Sequence, residues 1–459
     1  MDNQKTAAPR ITLRLKDVLS ANRPHNTLIS WRGEQRLTLS KFRFRVKKLI
    51  RQLQSCPEQQ WAICFNDSYL FSAALLALIY CGKTPVIPGH LRQAQLKEQY
   101  QQGAFDALLS DLPLQIGCPT IWSSATPHDR EELAIELPEW PENAELILFT
   151  SGSTGQPKAV HKLIRLLEAE SELLANNWRS LVPGTRIAAT VSHQHLYGLT
   201  FRILLPLVLG LPFNAQLTEY HEQLQPLATT PLALIASPAY LKRLDSSLRV
   251  LNCSMVVSAG GPLNLDEARR VKQCLKVAPL EIYGTSETGV IAHRRQEHLQ
   301  QPWQPFNGIQ ITRQPDGEIN VVSPLFNNDA GSTIGDLISL EPDGFHLLGR
   351  KDKIIKIEEK RISLADVEQR LISLDEISDA AVIPITQNGR TLLAAAIVLT
   401  NIGQQRHQQG DHPLTQHLRQ QLREWLEPVA LPKRWRIVSA IPLNTQGKRA
   451  YSELQELFL

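Results

Sequence analysis

Phe149-Thr150-Ser151-Gly152-Ser153-Thr154-Gly155-Gln156-Pro157-Lys158 is the stretch on which the fold of this 459-residue chain turns. Its two glycines let the backbone turn tightly and aim N–H groups at an anion, its hydroxyls add donors, and Lys158 adds positive charge. That combination suits a polyphosphate. A Walker A loop is excluded, because G-x-x-x-x-G-K-[ST] occurs nowhere in the chain. A flexible serine-glycine linker is the plain alternative, but linkers seldom stand between a buried strand and a helix and seldom end in Pro-Lys. The loop follows the apolar run Ala144 to Thr150 and is expected to lead into a helix, since Leu163, Leu166, Leu167, Leu173 and Leu174 recur on one helical stripe.

Outward from the loop, further runs of strand length alternate with helical patterns: Arg186 to Val191, Leu232 to Ala236, Met255 to Ser258 and Leu280 to Tyr283. Such alternation predicts an α/β fold of doubly wound parallel sheets covered by helices. The pattern then changes. Ile311 to Val322 and Leu337 to Leu348 alternate around Pro315-Asp316-Gly317 and Pro342-Asp343-Gly344, which predicts a small β-rich unit of antiparallel hairpins. Beyond Gly349 comes a helix opened by Ser363 with Asp366 three positions on, then strands at Ile377 to Ile385 and Thr391 to Leu399. A helix carrying Leu414, Leu418 and Leu422 follows, with Asn401 to His412 read as an exposed loop. The expected organisation is therefore a large N-terminal domain, 1–351, and a small C-terminal α+β lid, 352–459.

Composition narrows the function classes. A chain of this length exceeds what one hydrophobic core usually supports. Hydrophobic residues at 42% and charged residues at 20% place it among folded globular proteins rather than disordered ones. The net charge of +4 is spread along the chain without a basic stripe, which argues against nucleic acid as a partner. The apolar run Tyr69 to Tyr80 is too short for a bilayer span of roughly 20 residues, so it is expected to be a buried helix. Six cysteines at irregular spacings, without a C-x-x-C pair, read as reduced thiols. With no basic-then-apolar start, the cytoplasm is the expected compartment.

The Thr150 to Lys158 loop resembles the T-S-G-[ST]-T-G-x-P-K hallmark of the adenylate-forming superfamily of acyl-CoA synthetases, peptide-synthetase adenylation domains and luciferases. Other segments resemble its motifs in the same order. The resemblance implies that Thr150, Ser151, Gly152, Ser153, Thr154, Gly155 and Lys158 cradle the phosphates of ATP. Ser192-His193-Gln194-His195-Leu196-Tyr197-Gly198-Leu199 resembles the acid-pocket segment, and Ser258-Ala259-Gly260-Gly261-Pro262-Leu263 the loop that borders adenine and the acyl group. His195, Leu196, Tyr197 and Gly261 would then wall the acyl pocket, with Gly260 beside the nucleotide. Ile282-Tyr283-Gly284-Thr285-Ser286-Glu287 resembles Y-G-x-T-E, which implies Tyr283 on adenine, Ser286 at the α-phosphate and Glu287 on Mg²⁺. Thr333-Ile334-Gly335-Asp336 resembles T-G-D, with Asp336 on the ribose, and Gly349-Arg350-Lys351-Asp352 resembles the hinge motif, with Arg350 near the nucleotide and Asp352 as the hinge. Pro442-Leu443-Asn444-Thr445-Gln446-Gly447-Lys448 resembles the closing P-x-x-x-x-G-K, whose lysine bridges carboxylate and α-phosphate.

Two departures bear on the substrates. Leu196 stands where amino-acid activators of the superfamily place an Asp and activators of 2-hydroxy aryl acids an Asn, so an aryl or acyl acid without a second charge is expected. Glu359 stands where the superfamily places a glycine along the path of a pantetheine thiol. Lys356-Ile357-Glu358-Glu359-Lys360-Arg361-Ile362-Ser363 also resembles the AMP-ligases of aryl polyene and xanthomonadin pigment clusters, which implies the phosphopantetheine arm of an acyl carrier protein as acceptor. The alternatives are an aryl- or acyl-CoA ligase using free CoA, and a nucleotide-binding scaffold or sensor without catalysis.

Overall fold

The computed structural model describes residues 14–20, 22–124, 136–151, 157–178, 184–227, 230–245, 251–261, 263, 265–298, 301–315, 318–350, 354–387, 389–442 and 451–459. Among them, apolar runs form the centres of two sheets. The first has nine strands in the order Gln304–Pro305, Gly289–Arg295, Leu280–Thr285, Cys253–Ala259, Leu232–Ala236, Arg186–Ala189, Phe213–Asn214, Leu28–Arg32 and Gln35–Thr38. Pairings from Leu280–Thr285 across to Leu28–Arg32 are parallel, and antiparallel hairpins close both edges. The second sheet has six strands, Thr120–Trp122, Ala107–Ser110, Gln60–Cys64, Thr84–Ile87, Glu145–Ser151 and Pro157–Leu163, parallel except for the last pair. Helices cover both sheets, as the alternation predicts. The helix Ser68–Tyr80 is buried along its whole length between layers.

Around the phosphate loop the structure differs from expectation. The segment after it is a strand, Pro157–Leu163, antiparallel to Glu145–Ser151, with Thr150 opposite Lys158; the helix starts only at Ile164. Residues 159 to 162 alternate, with Val160 and Lys162 buried and Ala159 and His161 exposed, the period of two of a pleated strand. The described ends of the loop, Ser151 and Pro157, thus stand opposite each other on paired antiparallel strands.

Both proline-containing hairpins form, as Gln310–Arg313 with Ile319–Val322 and as Asp336–Glu341 with Gly344–Arg350. Beyond them the chain builds a separate core. Ile357, Ile362, Leu364, Val367, Leu371, Ile377, Val382, Leu393, Leu414, Leu418 and Leu422 pack together, whereas the large N-terminal cluster ends at Phe345 and Leu347. The helix Leu364–Ile372 is capped by Ser363, which accepts the Asp366 N–H at 3.1 Å. Ile377–Gln387 and Arg390–Leu399 pair antiparallel, and Arg434–Ile437 joins them in parallel. The stretch read as an exposed loop instead holds the helix Asn401–His407, because the Thr400 hydroxyl accepts the Gly403 N–H and caps it; the next helix begins at Asp411. The expected boundary at 351–352 falls outside the described residues.

Candidate functional site

Open parallel sheets leave a crevice at the carboxyl ends of their strands, where loops diverge and backbone groups are free to meet a ligand. Three strands of the nine-stranded sheet deliver their next residues to that edge here. His195, Leu196 and Tyr197 follow Arg186–Ala189, Gly260 and Gly261 follow Cys253–Ala259, and Tyr283 and Ser286 lie at and just after the end of Leu280–Thr285. Together with Thr150 and Asp336 they line one cavity of about 860 Å³. The chain thus gathers there residues that stand up to 186 positions apart, as from Thr150 to Asp336.

On the nucleotide side, the Tyr283 hydroxyl donates to Asp336 Oδ2 at 2.9 Å, and the Tyr283 ring stands 5.8 Å from Trp303 and 5.7 Å from Phe345. An aromatic plane and a carboxylate are thereby fixed relative to each other. Asp336 also pairs across its hairpin with the backbone of Arg350. Glu287 sits in the tight turn between Leu280–Thr285 and Gly289–Arg295, not at a helix end. Lys158 Nζ lies 3.3 Å from Glu287 Oε1, and Lys162 Nζ donates to the Glu287 carbonyl at 2.6 Å. Burial tends to raise the Glu287 carboxyl, but its own backbone N–H, Arg361 and Lys158 outweigh that and hold it below the ordinary carboxylate range. It is therefore ionised at neutral pH.

On the acid side, the Tyr197 hydroxyl donates to the carbonyls of Ala236 at 3.1 Å and Val257 at 3.0 Å, which locks the ring. His195 is open to the cavity yet deep within the protein. Burial and the Lys360 ammonium, 3.5 Å from Nε2, push it down to about 3, so the imidazole is neutral. His193 has a different place: its Nδ1 and Nε2 meet Ser68 Oγ and the Phe65 carbonyl in the core.

The far wall comes from the C-terminal unit. The hairpin Ile354–Ile357 and Lys360–Ser363 reaches into the crevice, and a Cβ on Gly260 would lie 3.3 Å from the Glu359 carbonyl oxygen. Its tip residue Glu358 adopts φ +55°, a left-handed conformation usually left to glycine. Ion pairs flank the tip: Lys360 with Glu427 at 3.6 Å, Arg92 with Glu427 at 3.8 Å, Arg370 with Glu98 at 2.8 Å and Arg243 with Glu358 at 4.0 Å. Arg92 and Gln95 both donate to the Trp425 carbonyl.

Of the residues singled out from sequence, Gly152, Ser153, Thr154, Gly155, Asp352 and Lys448 lie outside the described residues, as do the side chains of Ser151 and Arg350. The sequence did not disclose Glu170, Lys360, Arg92 or Glu427. Only Glu170 carried a signal, a carboxylate on the apolar stripe between Leu167 and Leu174.

The sequence matches the AMP-binding enzyme family over residues 18–328 and the AMP-binding enzyme C-terminal domain over residues 366–448. The chain belongs to the AMP-binding enzyme family. This AMP-binding enzyme is 30% identical over 310 residues to the 4-coumarate–CoA ligase of Halorhodospira halophila, covering 66% of this chain and 74% of that protein. It is 23% identical over 480 residues to surfactin synthase subunit 1 of Bacillus subtilis, matching 90% of this chain but only 12% of that much longer protein. In fold it is similar to the o-succinylbenzoate CoA synthetase of Bacillus subtilis, at a TM-score of 0.78 and 19% identity over 97% of this chain and 98% of that one. The amide bond synthetase McbA of Marinactinospora thermotolerans gives 0.77 and 19%, over 97% and 99%. The AMP-binding enzyme is an adenylate-forming ligase that activates an acid with ATP. Among the described residues no helix is long and apolar enough to cross a membrane.

Proposed function

We propose that this enzyme joins an aryl or acyl carboxylate to AMP and passes the acyl group to the phosphopantetheine thiol of an acyl carrier protein, of the kind that serves aryl polyene pigment assembly. The observation that carries this is the convergence of Thr150, His195, Tyr197, Gly260, Tyr283, Ser286 and Asp336 on one cavity whose remaining wall is the C-terminal unit. A carboxylate oxygen attacks the α-phosphorus and pyrophosphate leaves; a thiolate then attacks the acyl carbonyl and AMP leaves. The loop Thr150 to Lys158 cradles the phosphates, Tyr283 carries adenine, Asp336 and Arg350 meet the ribose side, Ser286 meets the α-phosphate, and Lys448 bridges the reacting oxygens. Positioning and fixed charge perform the first step.

Magnesium fits the donor set. Among the described residues no cluster of three His, Cys, Asp or Glu could hold a metal by itself, and Mg²⁺ on ATP takes one or two carboxylates plus substrate phosphate and water. Glu287, kept ionised beside the phosphate loop, is the carboxylate that would hold it. Bound there, the ion neutralises phosphate charge.

Leu196 decides the acid. An α-ammonium beside the reacting carboxylate would meet an apolar side chain, and burying an unpaired charge costs several kcal/mol, so ordinary α-amino acids are excluded. Neutral aryl acids in a pyrophosphate-exchange panel should exceed every α-amino acid by about 10² or more in kcat/KM. Efficient exchange with an α-amino acid overturns this assignment, and no exchange with any acid, in protein that binds ATP, favours a scaffold without catalysis.

The similarity to 4-coumarate–CoA ligase favours free CoA as a second acceptor. Thioester formation on a holo carrier protein and on CoA, from the same acyl-AMP, separates the two. Glu359 is the residue to vary, since its Cβ stands 3.6 Å from where a Gly260 side chain would begin. Glu359→Gly is expected to raise transfer to a free pantetheine thiol relative to pyrophosphate exchange by roughly fivefold, the rate equivalent of about 1 kcal/mol of relieved crowding. A ratio that does not move would show that the thiol takes another path.

A further inference from the structure

One wall of the cavity carries a buried carboxylate to which the proposed adenylation assigns no role. Glu170, on the inner face of the helix Ile164–Asn177, is 2% exposed and lines the cavity beside Tyr197, Thr200, Phe201 and Val290. Its Oε1 accepts the Val290 N–H at 2.7 Å and its Oε2 the Thr200 hydroxyl at 2.9 Å. When ionised, a carboxylate offers about four acceptor positions, so among the described residues two remain open to a further donor. Burial raises the Glu170 carboxyl, opposed by the Val290 N–H, the Lys162 ammonium and the Thr200 hydroxyl. A carboxylate kept among apolar and aromatic side chains at that cost calls for a further donor.

The surrounding backbone is shaped to admit this side chain. Gly289 has φ +73°, and a Cβ there would stand 2.6 Å from Glu170 Oε1, so no larger residue fits beside the carboxylate. Thr200 belongs to the π-helical stretch Leu199–Leu204, a wide-turned geometry that concentrates at functional sites. Thr200 lies four residues beyond Leu196 on one continuous helical stretch, so Glu170 and Leu196 line the cavity about one turn apart.

We propose that Glu170 is a specificity-determining residue that accepts a hydrogen bond from a hydroxyl group on an aryl carboxylic acid, placed away from the reacting carboxylate. This rests on the acid-activation reading above and names its substrate class. A site built to receive a hydroxyl rejects the analogue without one far more strongly than an apolar pocket rejects a change of size.

The test is pyrophosphate exchange by the intact enzyme with matched acids: benzoate, its 3- and 4-hydroxy and methoxy derivatives, and cinnamate with its 4-hydroxy and 4-methoxy derivatives. In at least one series the hydroxy acid should exceed the unsubstituted acid by on the order of 10² in kcat/KM, with the methoxy acid falling alongside the unsubstituted one. Glu170→Gln should shrink that ratio by about tenfold, since a charge-assisted hydrogen bond becomes a neutral one. A residue that merely straps Val290 to Thr200 would lower both acids alike, and an unchanged ratio overturns the proposal. Should the variant fail to fold, the wild-type hydroxy-to-methoxy comparison decides alone. Exchange without any hydroxyl preference overturns the proposal while acid activation stands; no exchange at all removes both.

Discussion

Replacing Lys448 with alanine is expected to lower acyl-AMP formation by on the order of 10² or more, the usual scale for a lost charge partner of the transition state. Negative charge gathers between the attacking carboxylate and the α-phosphate as the new bond forms, and one ammonium placed between them stabilises that state more than the separated reactants. Lys448 itself lies outside the described residues, but both sides of its segment are fixed. Ile441 before it and Leu454 after it are buried in one apolar cluster with Ile383 and Ala394. Transfer from supplied acyl-AMP to a thiol should persist, since on the rotating-lid reading Lys448 contacts the phosphate only in the adenylating arrangement and is turned away when AMP leaves. Pyrophosphate exchange reads the first half-reaction and thioester formation from synthetic acyl-AMP the second. Equal loss of both would show that Lys448 serves the fold rather than the adenylating step.

Asp352→Pro should fail at the opposite step. Only residues 351–353 separate the strand Gly344–Arg350 from Ile354–Ile357, so any rotation of the C-terminal unit against the N-terminal one must pass through very few dihedral angles. Proline fixes φ near −65° and also restricts Lys351 before it. One arrangement of the C-terminal unit stays accessible while the exchange between arrangements slows. Thioester formation is expected to fall on the order of 10², with pyrophosphate exchange falling far less, because a lid that cannot turn blocks a whole step rather than weakening one contact. If Lys448→Ala and Asp352→Pro lose the same half-reaction to the same extent, the rotating-lid mechanism is wrong for this chain.

Much of this fold is written in short-range pattern. Leu232–Ala236 is legible because a continuous apolar run of strand length, between Pro231 and Pro238, has few other ways to bury itself. Pro157–Leu163 is not legible in the same way. Its Lys158, His161 and Lys162 hide the alternation, and Lys162 is buried only because its ammonium reaches the Glu287 carbonyl, 125 residues away. Site residues held by motif spacing, such as Tyr283 and Asp336, are readable one by one, but the 2.9 Å bond that joins them is a product of tertiary structure. The same holds for Lys360 beside His195, because nothing local to either residue specifies a neighbour 165 positions distant. Glu170 is the intermediate case. Its helical phase exposes it as a misfit on an apolar stripe, and only packing reveals what the misfit faces.

The seam between the two units carries several ion pairs. Arg370 with Glu98, Arg92 with Glu427, and Arg243 with Glu358 are partly exposed pairs across it. Such pairs contribute little each and weaken as mobile ions accumulate around them. An apolar seam would hold harder, since parting it would wet the surface it covered. A charged seam parts into water at small loss, each head group exchanging one polar partner for another. On the proposed rotating-lid mechanism, a C-terminal unit fastened in this way parts from the crevice once per turnover, and dissolved salt becomes a dial on how long it dwells there.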